Sequence, residues 1–140
     1  MKAFLSYALP DRDMAREMVD GLADSGHDIW FDEFELTPGT GWGREIDKAL
    51  KASHAMIVLI SPESMKSKEV RREIEHALLS KNFAHRVLPV YLKPTDDVPW
   101  FLRTQKGVHI GTDPAKAIQR VKIALDHFDE QLKEAVEGSV

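Results

Sequence analysis

Cysteine is absent from the 140 residues. That excludes disulfides, thiolate nucleophiles and cysteine-ligated zinc. Long hydrophobic runs are absent too. The most apolar stretch, Ala55–Ile60, is far shorter than the roughly 20 residues that span a bilayer, so no membrane segment is expected. Clustered basic charge is missing. The 19 Lys and Arg are scattered among 23 Asp and Glu, for a net charge of −4, which argues against a nucleic-acid partner. The opening MKAFLSYALPDRD reaches acidic residues at once and has no cleavable signal pattern, so a cytoplasmic location is expected. Several chemical motifs are also missing. GxGxxG and Walker A are absent, GxSxG gives no nucleophile elbow, and the histidines lack HExxH spacing. What is present suits one ordinary domain. Hydrophobic residues are 43% and charged residues 30%, enough for a packed core under a solvated surface.

Apolar runs alternate with amphipathic stretches. Ala3–Ser6 and Asp28–Phe31 read as strands, with a helix between them opening at Pro10-Asp11, Asp11 its N-cap, and ending near Ser25-Gly26. A polar loop, Asp32–Gly41, leads into a helix over about Trp42–Ala52. Ala55–Ile60 reads as a strand covered on both faces, as in a parallel sheet. One helix is predicted over Ser67–Lys81 and a fourth strand over Arg86–Leu92, where Pro89 suggests an exposed edge or a bulge. Lys93–Lys106 reads as a loop, Gly107–Ile110 as a short fifth strand and Pro114 to about Val136 as the last helix. The domain is thus expected over residues 1–136, with Glu137–Val140 a frayed tail.

This alternation predicts an α/β fold: a flavodoxin-like three-layer sandwich around a five-stranded parallel sheet in the order 2-1-3-4-5. Such sheets bind ligands beyond the carboxyl ends of their strands, where the order reverses. Here that point lies between strands one and three. It nominates the Ser6–Asp11 loop, the Ser61–Lys68 loop and the helix after the latter. The acidic cluster of a phosphoacceptor receiver and the phosphate loop of a flavodoxin are both missing there. Glu69, Glu73 and His76 recur at helical spacing, but without matching carboxylates from other helices they read as a solvated charged face, and no metal site is expected.

Five segments, in order, resemble a TIR (Toll/interleukin-1 receptor homology) domain of the bacterial stand-alone type. Phe4-Leu5-Ser6-Tyr7 with Asp11 is similar to the family's first box. Ile29-Trp30-Phe31-Asp32, Glu35-Leu36 and Pro38-Gly39 are similar to its second box and the BB loop after it. Trp42, Glu45-Ile46 and Ala49-Leu50 match a WxxEIxxAL pattern. Val58 to Pro62 matches the third strand and its Ser-Pro end, and Glu73-Ile74 with Ala77-Leu78 the helix that follows.

The resemblance implies one of two functions. One is cleavage of NAD⁺ at the nicotinamide–ribose bond, by hydrolysis or cyclisation, with NAD⁺ as substrate and no cofactor. The other is a non-catalytic scaffold working through TIR–TIR contacts. For the first, it implies Glu73 as catalytic carboxylate. Tyr7, Ala8 and Leu9 form the loop that contacts the nucleotide, and Trp42 supplies a stacking surface. Enzymatic members often carry Trp four residues before the glutamate; this sequence has Glu69 there, also assigned to the substrate pocket. Phe34, Leu36, Pro38 and Gly39 are implied in self-association. A separate sensor or effector protein and a role in bacterial defence or virulence are implied partners and setting.

Overall fold

The computed structural model describes residues 1–31 and 42–137, apart from the side chains of 42, 43 and 137. The expectations for the Asp32–Gly41 loop and for the tail lie outside the described residues.

The strand with the most apolar sequence occupies the middle of the sheet. β3 (Ala55–Ile60) is buried at every position. It pairs in parallel with β1 (Lys2–Ser6) on one side and β4 (Val87–Tyr91) on the other. β2 (Asp28–Trp30) extends the sheet beyond β1, and the two-residue β5 (Val108–His109) extends it beyond β4. The order is β2-β1-β3-β4-β5, all parallel, as the sequence predicts.

Side chains alternate across a strand, so a strand buried on both faces feeds two cores. Ala55, Ile57 and Leu59 join Ala3 and Leu5 under α1 (Arg12–Gly21) and α6 (Pro114–Glu137). Met56, Val58 and Ile60 join Phe4 on the opposite face. There they meet α2 (Trp42–Ala52), α3 (Pro62–Lys66), α4 (Lys68–Leu79) and α5 (Trp100–Arg103). Among the described residues no helix is long and apolar enough to cross a membrane.

The structure corrects several sequence expectations. α1 ends at Gly21 rather than near Ser25. Gly21 lies against α6, where an added Cβ would come within 2.8 Å of Ile118 Cγ2, so close helix approach is its role. Gly26, at φ +85°, then turns the chain into β2. The helix expected over Ser67–Lys81 is α4, and the Ser61–Lys68 segment expected as a loop holds the further short helix α3, because two serines cap in succession. Ser61 accepts from the Ser64 backbone N–H at 3.1 Å and Ser67 from that of Val70 at 3.2 Å. Lys93–Lys106 contains α5, anchored by the fully buried Leu102, while Trp100 stays exposed. Pro89 is neither at an exposed edge nor in a bulge: it pairs with Val58 in an unbroken register. Leu92 N–H donates to Ile60 and Ile110 N–H to Tyr91, so even-numbered residues of β4 face β3 and odd-numbered ones face β5. The missing N–H of Pro89 therefore falls on the side of the short β5, leaving the ladder with β3 intact.

Candidate active site

β1 and β3 are neighbours, yet the chain leaves them towards opposite faces of the sheet. α1 follows β1 on one face, and α3 and α4 follow β3 on the other. Open α/β sheets form their ligand crevice at such a divergence, between the carboxyl ends of the two strands.

Two side-chain links cross the crevice. Ser6 ends β1, only 1% exposed, and its Oγ–H donates to Glu73 Oε1 at 2.6 Å. Glu73 is half-buried on the second turn of α4, so its carboxylate is held at the crevice rather than in open solvent. Asp11 is 5% exposed and accepts a hydrogen bond from the Oγ–H of the fully buried Ser61. That link joins the loop after β1 to the start of α3. Asp11 was expected as an N-cap. It occupies the position but makes no side-chain capping bond, because its carboxylate turns inward to Ser61.

The loop after β1 is a short 3₁₀ turn, Leu9–Asp11, closed by Asp11 N–H donating to Ala8 C=O at 2.8 Å. Its three nominated residues differ in access. Tyr7 is half-buried with its ring centroid 6.2 Å from that of Phe31, Ala8 is buried and Leu9 is 57% exposed. Glu69 is exposed one turn before Glu73 and accepts from Ser67 Oγ–H at 3.3 Å. Glu63, on the first turn of α3, has its carboxyl held below the usual carboxylate range. Backbone hydrogen bonding at the helix start is the main cause, and nearby Lys93 adds to it.

The sequence-predicted residues Tyr7, Ala8, Glu69 and Glu73 thus lie on the elements that bound the crevice. Trp42 opens α2, but its side chain lies outside the described residues, as do Phe34, Leu36, Pro38 and Gly39. A separate groove of about 590 Å³, between β5 and α6, holds none of the predicted residues. Sequence reasoning placed Ser6 at the start of the nominated loop but did not foresee its bond to Glu73. The signal was strand parity: Phe4 faces α2 and α4, so Ser6, two residues on, faces α4 as well.

The family model for the TIR domain matches residues 3–136. The chain belongs to the TIR family. It is 33% identical over 96 residues to the 2′ cyclic ADP-D-ribose synthase BtTIR of Bacteroides thetaiotaomicron, covering 67% of this chain and 33% of that protein. It is 31% identical over 96 residues to the NAD(+) hydrolase PdTIR of Paracoccus denitrificans (strain Pd 1222), covering 67% and 32%. The chain therefore matches about a third of the length of each of these relatives. Among solved structures, the TIR domain of the Toll-related receptor TRR-2 from Hydra magnipapillata superposes with a TM-score of 0.67 at 21% identity. That match covers 89% of this chain and 95% of the other, and it corroborates the fold.

Proposed function

We propose that this TIR domain cleaves NAD⁺ at the nicotinamide–ribose bond, with Glu73 as the catalytic carboxylate. The observation that carries the reading is the placement of Glu73: half-buried, at the switch point of the sheet, and hydrogen-bonded to Ser6. Two relatives named for NAD⁺ hydrolysis and for 2′ cyclic ADP-D-ribose synthesis support it.

The chemistry needs one carboxylate. Glycoside hydrolysis normally takes two, one of them to protonate a poor leaving group. Nicotinamide is attached as a cationic pyridinium and departs neutral, so no general acid is required. Positive charge instead develops on the ribose, and a preorganised anion beside it stabilises the transition state. Capture by water gives ADP-ribose, and capture by a hydroxyl of the same molecule gives a cyclic product. NAD⁺ is the substrate in either case, and no cofactor enters. Incubation with NAD⁺ and chromatography of the products tests the reading. Free nicotinamide with equimolar linear or cyclic ADP-ribose supports it; intact NAD⁺ overturns it.

In this reading Tyr7, Ala8 and Leu9 contact the nucleotide, and Trp42 supplies the aromatic surface that position 69 lacks. Stacking on an aromatic side chain contributes about 1–3 kcal/mol by alanine substitution. Trp42→Ala is therefore expected to raise KM for NAD⁺ about tenfold at unchanged melting temperature. Glu69→Ala is expected to leave KM nearly unchanged, since a carboxylate gains nothing from a ground-state pyrophosphate. Steady-state kinetics on the two variants check both. Abolished binding in Glu69→Ala, with unfolding of Trp42→Ala, would invert the assignment.

Self-association belongs to the same proposal. The segment Asp32–Gly41 carries Phe34 and Leu36 beside Pro38 and Gly39, apolar side chains in a stretch otherwise polar. Turnover per molecule is expected to rise with protein concentration, and to fall in Phe34→Ala and Gly39→Pro. Constant specific activity over a hundredfold range of dilution would rule this out. A cytoplasmic signalling role in bacterial defence or virulence, engaged by a separate sensor or effector, completes the reading.

A further inference from the structure

We propose that Ser6 is a positioning residue for Glu73, fixing the orientation of the catalytic carboxylate through one of its oxygens. The proposal rests on the NAD⁺-cleavage reading above.

Three observations carry it. Ser6 is the last residue of β1 and pairs with Val58 of the central β3, so its backbone is held by the sheet. Its side chain is 1% exposed, which leaves the hydroxyl little room to turn elsewhere. Its Oγ–H meets Glu73 Oε1 at 2.6 Å, within the short range of a hydroxyl donating to a carboxylate. A glutamate on a helix has three rotatable side-chain bonds, and a contact to one carboxylate oxygen narrows the orientations it can take. Ser6 restricts them before substrate arrives, so less reorganisation remains for the chemical step.

Packing alone does not call for this arrangement. The face of β1 that carries Ser6 also carries Phe4, and it meets Met56, Val58 and Ile60 in an apolar core. An apolar side chain would suit that face better than a hydroxyl, unless the hydroxyl is needed.

The test measures kcat and KM for the wild-type chain, Ser6→Ala and Ser6→Cys, with Glu73→Gln as reference. Cysteine keeps nearly the volume of serine but is a weak donor, which separates hydrogen bonding from packing. Both Ser6 variants are expected to lose about tenfold or more in kcat, because misorientation of a catalytic group is costly. KM is expected to stay within about threefold of wild type, since the substrate contacts remain. A wild-type kcat in Ser6→Cys, while Glu73→Gln is inactive, would overturn the proposal and leave the NAD⁺ reading standing. A rise in KM alone would overturn it as well. Full turnover in Glu73→Gln would remove Glu73 from the chemistry and overturn this proposal, and no turnover by the wild-type chain would overturn the NAD⁺ reading itself.

Discussion

Glu73→Gln is expected to fold normally and to release nicotinamide about 10²–10³ times more slowly than the wild type, the usual cost of one preorganised electrostatic group. The substitution keeps size and shape. The Gln amide oxygen still accepts from Ser6 Oγ–H, so the link between β1 and α4 survives while the charge is lost. Only the charge opposes the cation that forms on the ribose, so the loss belongs in kcat more than in KM. Continuous nicotinamide assay, with a melting curve on the same preparation, checks both halves. A variant that melts like wild type and turns over at the wild-type rate would remove Glu73 from the chemistry.

The second large effect is on stability. Asp11→Ala is expected to cost about 2 kcal/mol, and to lower the melting temperature by about 5–10 °C. Asp11 is 5% exposed and Ser61 fully buried, so truncation leaves a buried hydroxyl without its acceptor. Ser61→Ala is expected to cost at least as much. It removes the same bond and also the cap that Ser61 provides to the Ser64 N–H. Because the two residues share one hydrogen bond, the double variant is expected to cost less than the sum. Asp13→Ala, at an exposed position on the first turn of the same helix, is the control, with a change within about 0.5 kcal/mol. Strict additivity of Asp11→Ala and Ser61→Ala would show that the link contributes nothing.

The fold was legible because its centre has a strong local pattern. Ala55–Ile60 is apolar at every position, and only a strand covered on both faces explains that in six residues. Amphipathic stretches on either side then fix the alternation, and the alternation fixes the sheet. What was not legible depends on partners distant in sequence. Asp11 before a helix reads as a cap, and nothing local reveals a serine 50 residues later that turns it inward. Pro89 reads as an edge signal, because its tolerance depends on which side of β4 its missing N–H faces. The short α3 was readable in principle, since Ser61-Pro62 is a helix start signal, but five residues carry no apolar stripe and the segment reads as a loop.

The candidate site divides the same way. Glu73 is reached twice: by sheet topology, which places α4 at the switch point, and by resemblance to the family's catalytic helix. Ser6 is reached only once strand parity is applied to β1 and the helices on each face are known. Tyr7, Ala8 and Leu9 share one loop, yet the structure gives them different access to solvent, a distinction that adjacency in sequence does not contain.

The decisive measurement is free nicotinamide, quantified after incubating the purified chain with NAD⁺ at high protein concentration, in parallel with Glu73→Gln. Time-dependent release by the wild type, matched by loss of NAD⁺ and reduced at least 100-fold in the variant, is the predicted result. No release by the wild type at any protein concentration would contradict NAD⁺ cleavage and leave the scaffold function in its place.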